Sequence, residues 1–311
     1  MTIPYLDAAD LIALNLSQTE VVDAIEATIR GAEAGRVWAA PKATIIPGDS
    51  RYMMAALAAM DGPSHLAVKM VVLNPENSAR GLPQINGLVT MLDSVTGRPL
   101  AILDGNWITA VRTAGLSATA ARHMARPDAA VAGFVGCGVQ AISHLDAFAE
   151  MFPLRDVVYF GRGQANKDKF AAHATALGLT ATACDTATEV VAGSDLLVTT
   201  VTHTGGADPF LDAADMPPGA FAAVVDLAAP WHRNSFGVLD RVAVDDLVQE
   251  RAMEAKLCDP DHIHGDLSGL VLGTTVGRAS EADRTAFVFR GHALGDLALS
   301  SLCLTRYLDE K

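Results

Sequence analysis

Hydrophobic residues in the first 125 positions follow two patterns, one with the spacing of a helix and one of short strand-like runs. Residues 18–34 place apolar side chains at helical spacing after a candidate cap at Ser17 or Thr19, which predicts an amphipathic helix. Short apolar runs bounded by Gly, Pro, Asn and Asp follow, and they predict strands joined by turns. Residues 106–125, rich in alanine, return to a helical pattern. The predicted strands are residues 43–47, 51–60, 65–74 and 87–105, the last with a hairpin turn at 93–99.

From residue 129 onward, strand patterns alternate with helix patterns. The strand-like runs are 129–136, 156–161, 181–185, 195–201, 220–228 and 240–246, and the helical runs are 139–152, 164–178 and 187–194. Such alternation predicts an α/β fold with a doubly wound parallel sheet of the Rossmann type. Residues 283–310 predict a strand, a glycine turn and a long helix that returns to the N-terminal part. The expected domains are therefore residues 116–291 and a discontinuous one made of residues 1–115 plus 292–311.

Composition and charge narrow the class of protein. The 311 residues are 50% hydrophobic and 19% charged, which is typical of a packed globular protein. A net charge of −13 disfavours nucleic-acid binding. We expect no membrane span and no secretory signal, because long apolar runs and a basic N-terminal region are both missing. Four scattered cysteines without a CxxC motif indicate reduced thiols and a cytoplasmic protein. The histidines and acids of 259–266 lack metal-ligand spacing, so no metal is expected.

The segment "GFVGCGVQA" is the main candidate for nucleotide chemistry. Gly136 and Gly138 follow an apolar strand and open a helix, as in a dinucleotide phosphate turn, although an ordinary glycine turn has the same pattern. The helix N-terminus would offer free N–H groups to the pyrophosphate. The next strand ends in Gly161 and Arg162, without the acid that selects NAD. Arg162 therefore lies beside a 2′-phosphate of NADP or is a solvated arginine next to adenine, and both interpretations stay open.

Several linked stretches resemble one protein family. They are "KMVVLNPENSARGLPQINGLVTMLDSVTGRPLAILDGNWITAVRTAG", "GFVGCGVQA", "DLLVTTVT" and "FVFRGHALGDLA". Together they are similar to the ornithine cyclodeaminase/μ-crystallin family. The resemblance implies a Rossmann domain plus a smaller α/β domain that binds substrate and forms a homodimer. It also implies an NAD(P)-dependent oxidoreductase acting on C=N or CH–NH2 groups of small carboxylic acids.

The resemblance also assigns candidate site residues. Lys69 matches an active-site lysine that protonates the imine nitrogen, and Arg112 matches an arginine that binds the substrate carboxylate. Lys42 stands where many relatives have an arginine for the same carboxylate. The alternatives are a strand-edge Lys69 that reaches solvent and an Arg112 in a surface ion pair. The implied cofactor-binding residues are Arg112, Thr113, Gly136, Gly138, Val139, Gln140, Gly161, Arg162, Thr200, Val201, Asp226, Leu227 and Gly291.

Other positions are further candidates for the site. Four residues are candidates to bind a second carboxylate of the substrate: Arg51, His65, Arg80 and His232. The alternative for each of them is a plain surface residue. His292, in the glycine turn, is either a ligand or a helix cap. Asp226 has two interpretations. Its carboxylate substitutes for an aspartate that is missing at position 228, or its backbone lies at the edge of the cofactor.

The segment "VVDLAAPWHRNSF" departs from the family pattern. The resemblance implies that cyclodeaminases and the related alanine dehydrogenases have an aspartate two residues before the proline matching Pro230, and this chain has Ala228 there. A methyl group cannot accept a proton, so cyclodeamination is disfavoured. Together with the missing aspartate, the resemblance implies reduction of a small 2-imino acid. Iminosuccinate, which gives aspartate, ranks first among the substrates, and the implied cofactor is NAD(H), with NADP(H) left open. Alternatives are a cyclodeaminase with bound NAD+, a cyclic ketimine or pyrroline-carboxylate reductase, and a non-catalytic ligand binder.

Overall fold

The structure is a computed structural model that describes residues 2–201 and 208–311. The chain divides into two compact units. The first unit consists of Met1–Thr113 and His292–Lys311, and the second unit is Ala114–Gly291. Both units contain sheet and helix, as the alternation of hydrophobic periods predicts.

A mixed sheet forms the centre of the first unit. Its strands are β1 (Tyr5–Leu6), β2 (Val37–Ala39), β3 (Ala43–Ile45), β4 (Tyr52–Asp61), β5 (Ser64–Leu73), β6 (Ile85–Asp93) and β7 (Pro99–Asp104). The strand order is β1-β7-β6-β5-β4-β2, with β3 also paired to β4. All pairs are antiparallel except β1 with β7. The predicted hairpin at 93–99 joins β6 to β7.

Helices cover one face of this sheet. They are α1 (Ala8–Ala13), α2 (Gln18–Glu33) and α9 (Ala293–Asp309), and α9 packs on α2, β4 and β5. Helix α2 begins with a capping box in which Ser17 and Glu20 satisfy each other's backbone N–H groups. Successive side chains of a strand point to opposite faces, so Ala67, Lys69 and Val71 of β5 are buried on the helix-covered side. The return of the C-terminal helix to the N-terminal unit is what the sequence predicts.

The other face of the same sheet is apolar and partly exposed. Its side chains include Leu57, Met70, Val72 and Leu88, which are between 36% and 43% exposed. Paired positions bring them together, since Met70 lies opposite Leu88 and Met53 opposite Val72. We call this surface the outer sheet face.

Helix α3 (Gly105–Met124) starts directly at the end of β7, without a loop. A Cβ at Gly105 would lie 2.5 Å from the backbone carbon of Gly87, so only glycine permits this close approach. The helix therefore begins against β6, and Arg112 follows about two turns later.

An eight-stranded, all-parallel sheet forms the second unit. Its strands are β8 (Val131–Val135), β9 (Asp156–Phe160), β10 (Thr180–Ala183), β11 (Leu196–Thr199), β12 (Phe221–Val224), β13 (Arg241–Val244), β14 (Gly265–Asp266) and β15 (Thr285–Val288). The order β10-β9-β8-β11-β12-β15-β13-β14 reverses direction between β8 and β11. This is the doubly wound arrangement of the Rossmann fold, as predicted. Ligands of such sheets bind at that reversal, beyond the carboxyl ends of the strands.

The helices of the second unit follow the predicted order. They are α4 (Val139–Met151), α5 (Gln164–Ala176), α6 (Ala187–Ala192), α7 (Leu247–Ala252) and α8 (Leu267–Leu272). The short helices α7 and α8, like β1, β2 and α1, have no counterpart among the predicted elements. No helix in the described ranges combines the length and apolarity that a bilayer span needs.

Candidate active site

Lys69 and Asp296 form a buried ion pair inside the first unit. Lys69 Nζ donates a 2.6 Å hydrogen bond to Oδ1 of Asp296. The lysine is 1% exposed, because it lies at an inward position of β5 under α9. The alternative of a strand-edge lysine that reaches solvent is therefore wrong. A buried ammonium needs such a partner, since desolvation of an unpaired charge is costly.

Arg112 joins the same carboxylate from α3. Its Nε lies 2.9 Å from Oδ1 of Asp296, within ion-pair distance but without hydrogen-bond geometry. The residue is 7% exposed, so the alternative of a surface ion pair is also wrong. Its Nη1 is buried and has no hydrogen-bond partner within the described ranges. The Nη1 nitrogen therefore has N–H groups available for an acceptor.

Burial and neighbouring charges set the protonation states. Burial, followed by the positive charges of Arg112 and Lys42, lowers the pKa of Lys69 to about 8, against the opposing effect of Asp296. Burial alone would raise the pKa of Asp296, but Arg112 and Lys69 outweigh it and the pKa falls below its usual range. Near neutral pH, Lys69 is thus charged but close to its titration point. This is the condition that suits a general acid.

Lys42 belongs to the same electrostatic cluster. It lies between β2 and β3 and lowers the pKa of both Lys69 and Asp296. The structure thus groups Lys42, Lys69 and Arg112, the three residues predicted to bind substrate, around Asp296.

The remaining cationic candidates lie in other surroundings. Arg51 pairs with Asp49 and Arg80 with Glu76, both on the surface. His65 is buried, and its Nδ1 lies 2.8 Å from Ser301 Oγ of α9. His65 is four residues from Lys69 on the same strand, or about 13 Å along it.

His292 is the N-terminal cap of α9. Its Nδ1 accepts a hydrogen bond from the backbone N–H of Leu294 at 3.1 Å. The structure therefore shows the helix cap that one interpretation from sequence expects, and a ligand or acid role of His292 stays a prediction.

The second unit contains a pocket of about 590 Å³ at the predicted phosphate turn. Gly136 has φ +103°, and a Cβ there would lie 2.7 Å from Thr200 Oγ1, so glycine is required. Gly138 is the residue before α4 and provides no side-chain cap, and a Cβ there would meet no atom within 4 Å. A side chain at 138 would therefore enter the open pocket. The uncapped N-terminus of α4 suits a pyrophosphate.

The pocket brings together about half of the predicted cofactor residues. Its lining includes Gly136, Gly138, Gly161, Arg162, Thr200 and Val201. Val139, Gln140, Asp226, Leu227 and Gly291 belong to the second unit but do not line the pocket. Arg112 and Thr113 lie on α3 in the first unit. Lining residues that sequence reasoning missed are Val135, Cys137, Phe160, Gly163, Asn166, Asp208, Phe210, Ala229 and Pro230.

Asp226 supports the pocket wall from behind. Its carboxylate accepts hydrogen bonds from Thr199 Oγ1 at 3.1 Å and from the backbone N–H of Val201 at 3.0 Å. Burial raises the pKa of Asp226 to about 6. Its side chain is thus committed to the segment after β11, which does not support the interpretation that Asp226 replaces the missing catalytic acid.

Ala228 lies in the core of the second unit. It is fully buried, and Leu227 and Ala228 have φ of +59° and +54°. The backbone N–H of Ala229 donates to the carbonyl of Asp226, which closes a tight turn. The structure therefore has a buried methyl group at position 228, where the resemblance seen in the sequence implies an aspartate in some relatives.

Asp296 belongs to the stretch "FVFRGHALGDLA" that carries the family resemblance, but the sequence does not predict its contact with Lys69 and Arg112. Its one signal in the sequence is an acid within "ALGDLALSSL", a helix segment that is otherwise apolar or small. Charged residues are almost never fully buried unless they are paired, so an isolated acid in an apolar helix indicates a partner.

Comparisons with known proteins agree with this architecture. The sequence model of the ornithine cyclodeaminase/mu-crystallin family matches residues 5–311. The alanine dehydrogenase of Archaeoglobus fulgidus is 27% identical over 92% of this chain and 90% of its own. The ketimine reductase mu-crystallin of Mus musculus is 31% identical over 84% of this chain and 83% of its own.

A solved structure gives the same result at the level of the fold. It is the Δ1-pyrroline-2-carboxylate reductase of Thermococcus litoralis in complex with NADH and L-proline. It superimposes with a TM-score of 0.88 at 25% identity and covers 99% of this chain and 98% of its own.

Proposed function

Because the chain belongs to the ornithine cyclodeaminase/mu-crystallin family, we propose that it reduces a small 2-imino acid to the corresponding amino acid. It is an NAD-dependent oxidoreductase, the class to which its relatives belong. The glycine turn, the pocket beside it and the uncapped start of α4 fit a dinucleotide. NADH, when bound, supplies the hydride.

The buried guanidinium of Arg112 carries the proposal. Its Nη1 is fully buried and has no hydrogen-bond partner in the described part of the chain. Burying a donor without a hydrogen bond costs free energy. A substrate carboxylate would satisfy it through a charge-assisted hydrogen bond. Lys69, 2.6 Å from the same aspartate, is then a proton donor in the same cluster.

The residues of the first unit have separate roles in this proposal. Arg112 and Lys42 bind and orient the substrate carboxylate. Lys69 donates a proton to the imine nitrogen, which makes the imine carbon more electrophilic. Asp296 keeps Lys69 and Arg112 in place and offsets part of their charge.

We further propose that the substrate is a dicarboxylic imine, with iminosuccinate giving aspartate. Three cations act on the single carboxylate of Asp296. A positively charged cluster of this kind favours a substrate with two carboxylates over one with a single carboxylate.

A cyclic ketimine or pyrroline-carboxylate reductase is the second candidate, and it uses the same residues. It is favoured by the names of the relatives from Mus musculus and Thermococcus litoralis. Cyclodeamination is disfavoured because Ala228 is buried and Asp226 is engaged by Thr199 and Val201.

We also propose that the protein is a cytoplasmic homodimer paired through the outer sheet face. The exposed side chains of Met70, Val72 and Leu88 form an apolar surface that a second copy would cover. Unpaired thiols at Cys137, Cys184, Cys258 and Cys303 are consistent with a reducing compartment.

A spectrophotometric assay tests the substrate proposal. NADH oxidation is followed at pH 7.5 with oxaloacetate plus ammonium, pyruvate plus ammonium, or Δ1-pyrroline-2-carboxylate. We expect the fastest turnover with oxaloacetate, and only when ammonium is present. Turnover with pyrroline-carboxylate alone would support the second candidate instead, and ammonia release from ornithine without net NADH formation would support a cyclodeaminase.

A further inference from the structure

A buried carboxylate holds the segment that follows β11. Asp226 lies two residues beyond β12 and is buried. One of its oxygens accepts a hydrogen bond from Thr199 Oγ1 at 3.1 Å, and the other accepts one from the backbone N–H of Val201 at 3.0 Å. These two donors are the chain neighbours of Thr200. We call residues 199–201 the wall segment, and Asp226 fixes it at both ends.

Thr200, in the middle of the wall segment, packs against the phosphate turn. Its backbone N–H donates a 2.9 Å hydrogen bond to the carbonyl of Val135, the residue before Gly136. A Cβ on Gly136 would lie 2.7 Å from Thr200 Oγ1 and 2.8 Å from the carbonyl oxygen of Thr200, so the two segments meet without spare room. Thr200 and Val201 also line the dinucleotide pocket. A displacement of the wall segment would therefore change both the pocket and the turn.

The hydrogen bonds behind the wall segment fit a charged carboxylate. Trp231 Nε1 donates to Thr199 Oγ1 at 3.2 Å, and the hydroxyl of Thr199 donates in turn to Asp226. Both oxygens of Asp226 therefore act as acceptors. A carboxyl group that carries a proton becomes a donor at one oxygen, which opposes one of the two bonds that it accepts. Leaving a buried donor without its acceptor costs free energy, so the wall segment is held less firmly by the neutral acid.

Burial makes this carboxylate easy to protonate. It raises the pKa of Asp226 to about 6, against the lowering effect of the hydrogen bonds from Val201 and Thr199. The side chain is therefore charged at pH 8 and mostly neutral at pH 5. The phosphates of NAD+ keep their charge over this range, so the protein and not the nucleotide changes its protonation there.

Other ionisable groups near these strand ends do not pair with Asp226. The charged or titratable side chains on the neighbouring strand ends and turns are Asp208, His232, Asp245, Glu250 and Arg290. Nε of Arg290 donates to Glu250 at 2.7 Å, and His232 is exposed. None of the five forms an ion pair with Asp226 in the part of the chain that the structure describes. Burial and hydrogen bonds thus control the charge of Asp226.

We propose that Asp226 is a positioning residue for the dinucleotide: its charged form holds Thr200 against the phosphate turn, and uptake of one proton releases the wall segment and weakens nucleotide binding. The enzyme therefore binds its cofactor tightly at neutral pH and loses affinity in mildly acidic surroundings. The inference rests on the dinucleotide pocket of the proposed function but not on the identity of the imino acid.

Calorimetric titration with NAD+ between pH 5 and pH 8, at constant ionic strength, tests the inference. About nine in ten molecules carry the proton at pH 5, so the affinity of the wild type should fall about fivefold to tenfold from pH 8 to pH 5. The amide of D226N can accept from Val201 and donate to Thr199, but it does not titrate. The affinity of D226N should therefore vary less than about twofold over the same range. D226A, which has no acceptor, should bind NAD+ at pH 8 about as weakly as the wild type does at pH 5.

The number of protons released on binding gives a second readout. Titrations in two buffers with different ionisation enthalpies measure this number. Because NAD+ favours the charged form of Asp226, the wild type should release about half a proton or more per NAD+ at pH 5.5. D226N should release none at the same pH.

D195N is the matched control. Asp195 also accepts two backbone N–H groups, those of Ala130 and Val131, but at the opposite ends of the strands. D195N should keep the wild-type fall in affinity. H203Q is a second control, because histidines ordinarily titrate near pH 6.5 and His203 lies outside the described residues. H203Q should also keep the wild-type fall, and the unfolding temperature at each pH shows which variants are folded.

Each outcome decides the matter. A wild-type affinity that is constant or rises toward pH 5 overturns the inference, and a rise means that the charge of Asp226 repels the phosphates. The inference also fails if D226N keeps the wild-type fall, or if D226A binds NAD+ at pH 8 as tightly as the wild type. In all these cases the imine reductase proposal stands. If the fall depends on Asp226 but no imine is reduced, the inference stands and the proposed reaction fails.

Discussion

Replacing Lys69 by methionine separates catalysis from stability at this site. The pKa of Lys69 falls from 10.5 to about 8 in the folded protein. Each pKa unit corresponds to 1.36 kcal/mol, so the charged lysine costs the folded state about 3 kcal/mol at neutral pH. Methionine has a similar length and no charge, so K69M removes this cost.

The substitution also removes the 2.6 Å hydrogen bond to Asp296. Asp296 keeps Arg112 at 2.9 Å, so its charge does not become isolated. Replacing a buried ion by an apolar residue of similar volume is often neutral or stabilising. The lowered pKa of Lys69 already includes this hydrogen bond, so the opposing effect is the loss of a cation that stabilises the charge of Asp296. We therefore expect the free energy of unfolding of K69M at pH 7 to lie within about 1 kcal/mol of the wild type.

The expected loss of activity is much larger. A positioned general acid contributes about 10²- to 10⁴-fold to a rate, so kcat should fall by that factor while NAD+ binding persists. Urea unfolding gives the stability, and NADH oxidation with the best imino acid gives kcat. K169M is the control for an exposed lysine. Folded K69M with kcat within tenfold of the wild type would refute the role of Lys69.

The pH dependence of stability supplies a further check. Below pH 8 the lysine is protonated in both the folded and unfolded states, and its full cost is present. Between pH 8 and 10.5 the unfolded chain binds more protons than the folded protein, so this residue makes stability rise with pH. The difference in unfolding free energy between wild type and K69M should therefore move in favour of the wild type across this range. A difference that is constant with pH would mean that the pKa of Lys69 is not lowered.

Three more substitutions test other parts of the structure. In D296N the loss of the carboxylate should lower the pKa of Lys69 further. The alkaline limb of the pH profile of kcat/KM should therefore move to lower pH. A limb that does not move would contradict the effect of Asp296 on Lys69. M70E, on the outer sheet face, should convert dimers to monomers in sedimentation experiments. The control V248E, at an exposed position of the second unit, should leave the dimer intact. An unchanged mass for M70E would exclude this face as the dimer interface. G136A places a Cβ 2.7 Å from a threonine oxygen and should weaken NAD+ binding about tenfold or more by calorimetry, and wild-type affinity would show that the turn does not hold the dinucleotide.

The layout of the helices and strands follows from local patterns in the sequence. Helix α2, the strands β4 to β6 and the alternating strands and helices of the second unit occur where the hydrophobic periods predict them. These periods are local, because a helix or strand must place its apolar side chains on one side to bury them. The glycine turn at 136–138 was also predictable, since its backbone geometry excludes most other residues.

Tertiary structure alone decided the chemistry of the site. Lys69 and Asp296 are 227 positions apart in the chain, and no local pattern pairs them. Whether Arg112 is a surface residue or a buried donor depended on the elements packed around it. The hydrogen bonds from Thr199 and Val201 to Asp226 likewise join two separate strand ends. Desolvation and ion pairing arise from contacts between distant segments, so the protonation states and the available donors are properties of the packed structure and not of any stretch of sequence.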